Sequence, residues 1–325
     1  MPGVYNASIY SINSEGIRGK LKIDSAALKI LTIGGSTTEC LYLDDSEEWP
    51  HLLQSKLNER GRECWVGNIG RSGLNSVHHI IEIEQGIDQY GELDVITFLV
   101  GINDLMKDIN HSQGIYLDQQ SDFQKTFLVY PIKDSLPFVK KLELYQLVRK
   151  VVKGNELKNL NQVQDEEGLS YVKWRRNRKN AIKLLDTVPS LENELLEYRK
   201  HIHTIIELCI ERNIEPLFLL QPTMYSDSIS SELKNLLWLG GLGDFQGDDE
   251  CDYYSVRVLN ILMKKYNDIV RTVCQENNVQ CIDLTKHLPS NTNVFYDDCH
   301  FNENGAEMVA EIVARYFNKK NKLSE

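Results

Sequence analysis

Residues 28–39 read Leu-Lys-Ile-Leu-Thr-Ile-Gly-Gly-Ser-Thr-Thr-Glu, and this stretch decides the fold. A short, largely apolar run with β-branched members ends at two glycines, the pattern of a buried strand meeting a tight turn. The chain around it repeats the theme. A helix is predicted over about 47–60, where Trp49, Leu52, Leu53 and Leu57 recur at helical spacing and Gly61 marks the stop. The next predicted strand is 64–69, followed after a glycine-rich turn by a helix over about 75–90 with Val77, Ile80, Ile81, Ile83 and Ile87 inside. Residues 95–100, Val-Ile-Thr-Phe-Leu-Val, are almost continuously apolar, as a strand covered on both faces should be. Helices predicted at about 191–212, 253–277 and 303–317 alternate with strands at 216–220 and 279–283. Strands alternating with helices imply an α/β protein: a parallel sheet of about five strands layered on both faces by helices, in three α/β/α layers.

Two segments break this rhythm and read as large insertions into one domain spanning 1–325. Residues 108–190 are polar and charged, are expected to be partly helical, and contain the basic run Lys-Trp-Arg-Arg-Asn-Arg-Lys at 173–179. Residues 224–252 contain Gly240-Gly241-Leu242-Gly243-Asp244 and several acidic side chains. Connections this long inside a compact domain are usually functional lids or disordered segments. The basic run is most simply a solvated helix face; its functional alternative is a clamp for an anionic substrate.

The bulk composition narrows the function classes. Of 325 residues, 42% are hydrophobic, enough for a full core, and 36 Lys+Arg against 47 Asp+Glu leave a formal charge of −11. An acidic chain is poorly suited to a phosphate backbone, so no nucleic-acid partner is expected. No apolar stretch is long enough for a membrane span, and the N-terminus lacks the basic and apolar regions of a signal peptide. The expectation is a cytoplasmic protein, or an extracytoplasmic one if a leader or anchor precedes this sequence. The seven cysteines are scattered without a C-x-x-C pair and read as buried free thiols in a reducing compartment. His201 and His203, like His78 and His79, are too close in sequence to share a helix face, so no metal centre and no cofactor are expected.

In an open parallel sheet, ligands sit beyond the carboxyl ends of the strands. There the first three strands deliver Gly34-Gly35-Ser36-Thr37-Thr38-Glu39, Gly70-Arg71-Ser72-Gly73-Leu74-Asn75 and Gly101-Ile102-Asn103-Asp104, and the loop after the last strand delivers Asp297-Asp298-Cys299-His300. Singly these are weak signals. Ser36 alone would suit a helix N-cap, Asn103-Asp104 a turn, and His300 an ordinary surface histidine.

Together and in this order they resemble the SGNH, or GDSL, hydrolases, named for a serine, a glycine, an asparagine and a histidine on these four loops. Ser36 matches the first block, Gly73 the second, Asn103 in Gly-x-Asn-Asp the third, and Asp297 and His300 the Asp-x-x-His of the last. The resemblance covers roughly 28–104 and 253–317, with weaker support over 191–223, and leaves 108–190 outside. It implies a flavodoxin-like SGNH-type hydrolase domain and a serine esterase or deacylase acting on an acetyl or longer acyl ester. His300 would take the Ser36 proton while Asp297 fixes its tautomer and orientation. The resemblance assigns the oxyanion hole to the backbone N–H groups of Ser36 and Gly73 and the side-chain amide of Asn103. Gly70 competes for that role, but the five-residue offset of Gly73 from Asn68 fits the family better.

The first block departs from the family, with Gly35 where its usual aspartate stands. That aspartate is not a catalytic group, so the departure leaves the activity standing. The Gly-Gly-Ser-Thr-Thr form resembles members associated with bacterial surface polysaccharides, which implies a small-molecule or glycan ester as substrate. The alternatives are an O-acyltransferase using the same three residues and a catalytically silent glycan-binding module. Folded over the site, Leu237 and Trp238 in the second insertion would shelter an acyl chain.

Overall fold

The computed structural model describes residues 9–19, 25–116, 121–127, 169–247 and 250–321. Five parallel strands form the central sheet: β1 (Leu28–Gly34), β2 (Cys64–Asn68), β3 (Val95–Val100), β5 (Glu215–Leu220) and β7 (Gln280–Ile282). Their spatial order is β2-β1-β3-β5-β7, the flavodoxin-like order for five strands met in this sequence. Every residue of β2 and β3 is buried, which explains why those strands read as continuous rather than alternating runs. Central packing follows the register: Phe98 pairs with Phe218 across β3 and β5, and their rings stack at 5.0 Å.

The helices are α1 (Ser36–Glu39), α2 (Trp49–Glu59), α3 (Ser76–Gly86), α4 (Ile102–His111), α5 (Asp122–Phe127), α6 over 169–179, α7 (Glu192–Glu211), α8 (Ser231–Lys234), α9 (Val256–Glu276) and α10 (Glu303–Asn321). The pair α2 and α10 packs together on one side, while α3, α7 and α9 pack in sequence on the other, giving three layers. Among the described residues no helix is long and apolar enough to cross a membrane. All seven cysteines are free thiols, and only Cys281 is not buried.

The expected insertion boundaries shift. Residues 108–111 complete α4 rather than opening the first insertion, because Leu105 and Ile109 carry a buried helical stripe past Asn103. Of the remainder, 117–120 and 128–168 lie outside the described residues, as do 248–249 of the second insertion. The described parts of the two insertions meet where the Ile182 N–H donates to the Cys251 carbonyl at 3.1 Å. Just beyond, residues expected to open a helix at 253 instead form β6 (Tyr253–Tyr254), which pairs in parallel with β4 (Leu184–Leu185) in a separate two-stranded sheet.

The basic run at 173–179 is a solvated helix face only in part: Arg176 and Lys179 are exposed, whereas Arg175 and Arg178 turn toward the protein. Arg178 is buried, donates through Nη1 to the Leu239 carbonyl and through Nη2 to that of Tyr254 at 2.9 Å, and lies over the Tyr253 ring. Arg175 donates to the carbonyls of Leu236 (3.1 Å) and Tyr296 (2.8 Å). These guanidiniums satisfy carbonyls that a buried irregular segment would otherwise leave unpaired. They fasten 236–254 and the last loop to α6.

Candidate active site

The site is assembled on four chain segments beyond the carboxyl edge of the sheet. The first is the turn after β1. Gly35 is the N-cap of α1 and Ser36 its first residue, so Ser36 is not the cap that its type alone suggests. The turn is held from several directions: Asn68 Nδ2 donates to the Thr38 carbonyl at 2.8 Å, and the Trp49 indole donates to that of Thr37 at 3.2 Å. Arg18 donates to the carbonyls of Glu39, Cys40 and Leu43 where the turn ends. Ser36 itself is left partly exposed.

Ser36 Oγ lies 2.7 Å from His300 Nε2. On the other side of the ring, His300 Nδ1 lies 2.7 Å from Asp297 Oδ2 and 2.9 Å from Oδ1. Three residues picked from opposite ends of the chain therefore form one hydrogen-bonded line. The spacing of three residues in Asp297-x-x-His300 works because the loop is a tight turn, in which Asp297 Oδ1 also accepts the backbone N–H groups of Cys299 (3.0 Å) and His300 (2.9 Å).

Burial alone would raise the Asp297 carboxyl and lower the His300 imidazole. Their mutual attraction and hydrogen bonds prevail, holding Asp297 ionised below the ordinary carboxylate value and lifting His300 well above the ordinary histidine value. Aromatic rings enclose the pair. Tyr296 lies parallel to the imidazole at 5.5 Å, Trp238 parallel at 6.5 Å, and Tyr171 edge-on at 6.4 Å. Excluding water in this way strengthens the charge interaction inside.

The remaining predicted residues flank the same turn. Asn103, in the first turn of α4, donates from Nδ2 to the Leu74 carbonyl at 2.7 Å, which leaves its second amide hydrogen to point elsewhere. The 71–74 turn places Gly73 at φ +78°, a left-handed conformation that glycine adopts without steric cost. Gly70 is set aside on a simple ground: its N–H already donates to Asn68 Oδ1 at 2.8 Å. Among the described residues no hydrogen bond engages the Gly73 N–H, and the residue is exposed.

Gly35 is closely approached by the Asn103 side chain. A Cβ built there would sit 2.3 Å from Asn103 Nδ2 and 3.4 Å from the Leu74 carbonyl oxygen. The Asn103 amide occupies the space that any side chain at position 35 would need.

The contacts of four residues here are not evident from the sequence. Glu39, the last residue of α1, accepts from the backbone N–H of Ser72 at 2.7 Å and from its hydroxyl, tying the Ser36 turn to the Gly73 turn. Its place in Gly-Gly-Ser-Thr-Thr-Glu was the available signal. Arg175 and Arg178 were concealed in a run that looked solvated. Trp238 donates its indole N–H to Asp297 Oδ2 at 2.9 Å. With Trp238 6% and Leu237 1% exposed, this part of the second insertion packs behind the Asp297–His300 turn, and neither side chain offers an open surface to an acyl chain.

Among the described residues, the metal-ligating types gather within reach of one ion only at Asp297, Cys299 and His300. There His300 Nδ1 and Asp297 already bond each other, and burial pushes the Cys299 thiol up to about 11. His201 and His203 take different partners: His201 Nδ1 meets Ser76 Oγ at 2.9 Å, whereas His203 Nδ1 meets Asn277 Nδ2.

Fold and site define an α/β/α protein with a Ser-His-Asp line at the carboxyl edge of its sheet. No protein-family model matches the chain, and no curated protein matches it. Solved structures similar to it include an α/β hydrolase enzyme from the metagenome of Lake Arreo, Spain, with 13% identity, covering 90% of this chain and 96% of that one at a TM-score of 0.48. A member of the lipolytic G-D-S-L family from Veillonella parvula is similar at 14% identity, 90% and 99% coverage and a TM-score of 0.47. An acetylxylan esterase from Geobacillus stearothermophilus is similar at 13% identity, 89% and 94% coverage and a TM-score of 0.46.

Proposed function

We propose that this protein is a serine esterase that cleaves an acyl ester through a covalent acyl-enzyme on Ser36. One observation carries the reading: the continuous line Ser36 Oγ–His300 Nε2 and His300 Nδ1–Asp297 Oδ2, each step 2.7 Å. A serine hydroxyl is a weak nucleophile until a base takes its proton, and a base positioned by a buried carboxylate is what the line supplies.

In the proposed reaction, the Ser36 Oγ–H proton passes to His300 Nε2 as Oγ bonds to the ester carbonyl carbon. The carbonyl oxygen becomes an oxyanion. The N–H groups of Ser36 and Gly73 and the second Asn103 amide hydrogen are the donors assigned to it. When the intermediate collapses, the C–O bond to the alcohol breaks and His300 returns the proton to the leaving alcohol. Water then gives a proton to His300, attacks the acyl carbon, and releases the carboxylic acid as Ser36 recovers its hydrogen. Asp297 stabilises the imidazolium in both halves. Each oxyanion donor is worth about 3 kcal/mol of transition-state stabilisation. The natural substrate proposed is an acetyl or longer acyl ester on a carbohydrate or small molecule.

Turnover of nitrophenyl acetate and of longer-chain nitrophenyl esters tests this. The wild type is expected to hydrolyse at least one of them, and Ser36→Ala to lose roughly 10⁴-fold or more in kcat with thermal unfolding unchanged. Equal turnover by the two proteins would remove Ser36 from the mechanism.

A further inference from the structure

Asp297 has about four lone-pair sites, as any ionised carboxylate does, and all are taken. Oδ1 accepts the backbone N–H groups of Cys299 and His300; Oδ2 accepts the imidazole Nδ1–H and the indole N–H of Trp238. Three of these donors lie within the Asp297–His300 turn itself. The fourth comes from 59 residues away, in the second insertion.

The placement of Trp238 is over-determined. The neighbouring carboxylate, Asp298, turns away from the site and accepts the backbone N–H groups of Trp238 at 2.8 Å and Leu239 at 3.3 Å, while its Oδ1 accepts the Tyr225 hydroxyl at 3.0 Å. The Asp298 carbonyl accepts the Met224 N–H at 2.8 Å. Arg178 holds the Leu239 carbonyl. The indole ring is itself wedged against Trp174, with centroids 4.6 Å apart. Two adjacent buried carboxylates thus divide their work, Asp297 on the imidazole and Asp298 on the segment that presents the indole.

We propose that Trp238 is a positioning residue for the Asp297–His300 pair, and that the second insertion is part of the catalytic apparatus rather than a cover for the acyl chain. The inference rests on the esterase reading above. The indole shares Oδ2 with the imidazole. It fixes the carboxylate plane and draws negative charge from the oxygen that His300 Nδ1 contacts. Without it the carboxylate is freer to rotate and its charge falls more fully on the imidazole. The sign follows: a more strongly stabilised imidazolium means a higher His300 pKa. The base then becomes neutral, and competent to accept the Ser36 proton, only at higher pH.

A buried indole commonly finds an acceptor for packing reasons alone, so the test must move something that packing does not. Trp238→Phe removes the donor; benzothienylalanine introduced at position 238 alone replaces N–H by sulfur and preserves the shape. In both, kcat is expected to fall roughly tenfold with KM little changed, and the acid limb of the kcat/KM profile to move to higher pH. If Trp238→Phe does not fold, the isostere decides. A folded isostere with wild-type kcat and an unmoved acid limb would overturn the role of Trp238 while leaving the esterase in place. A wild type that turns over no ester, and whose Ser36 takes no fluorophosphonate, would instead remove the esterase reading, so the two failures are distinct.

Discussion

The two halves of the site are built in opposite ways. The proposed nucleophile half consists of Ser36, Gly73 and Asn103, each in a turn that follows a strand, and the sheet sets those turns side by side: β1 pairs with β2 and with β3 in register. The base half, Asp297 and His300, lies on a loop with no strand directly before it, and side chains from α6 and the second insertion hold it. Arg175 binds the Tyr296 carbonyl, and Trp238 binds Asp297. The lesson is that sheet topology brings the proposed oxyanion donors to one edge and side chains such as Glu39 and Asn68 only brace their turns, whereas the buried charge pair depends on an enclosure that the core fold does not supply. Substitutions in the first half should cost rate without stability; those in the second should cost stability or move a pH profile.

After Ser36→Ala itself, the largest expected effect also falls in the proposed nucleophile half. Gly35→Ala drives a methyl into the Asn103 amide, the movable end of a side chain rather than backbone. The fold should therefore yield by displacing Asn103, with the melting temperature kept and kcat reduced about 10²- to 10³-fold, the usual cost of one oxyanion donor. Steady-state kinetics beside a thermal melt checks this. Retained activity would show that Asn103 is not needed where it stands.

The next effect belongs to the base half and appears as pH dependence. His300 must be neutral to accept the Ser36 proton, and Asp297 raises its pKa well above the ordinary value. Activity should therefore be lost as pH falls through that raised pKa, about tenfold per pH unit below it. A kcat/KM profile that stays flat well below the ordinary histidine range would contradict the charge coupling. The smallest effect on rate is expected from Arg178→Met. It leaves the buried Leu239 and Tyr254 carbonyls without their donor. Urea unfolding should show a loss of about 2–3 kcal/mol, with kcat changed less than about tenfold.

The same contrast explains what the sequence discloses. The five strands, their order of appearance and the residues at their carboxyl ends are legible because apolar runs and glycine stops are local signals, and a parallel sheet turns local position into spatial proximity. Asp297 and His300 were legible only through a known pattern at a fixed spacing. Trp238 was visible as an aromatic in an insertion, but its bond to Asp297 depends on a long-range fold that leaves no periodic trace. The roles of Arg175 and Arg178 are hidden for a related reason. A basic helical run looks the same whether its guanidiniums meet water or buried carbonyls. The close approach of Asn103 to Gly35, 68 residues apart in the chain, likewise leaves no local trace.

The central claim is that Ser36 is a nucleophile activated by His300. Intact-mass analysis after incubation with a fluorophosphonate tests it most directly, with the adduct then located by peptide mapping. A single adduct on Ser36 in the wild type, absent from Ser36→Ala and formed far more slowly by His300→Ala, is the expected result. A folded wild type that takes no label, or one labelled at Ser36 at the same rate without His300, would contradict it.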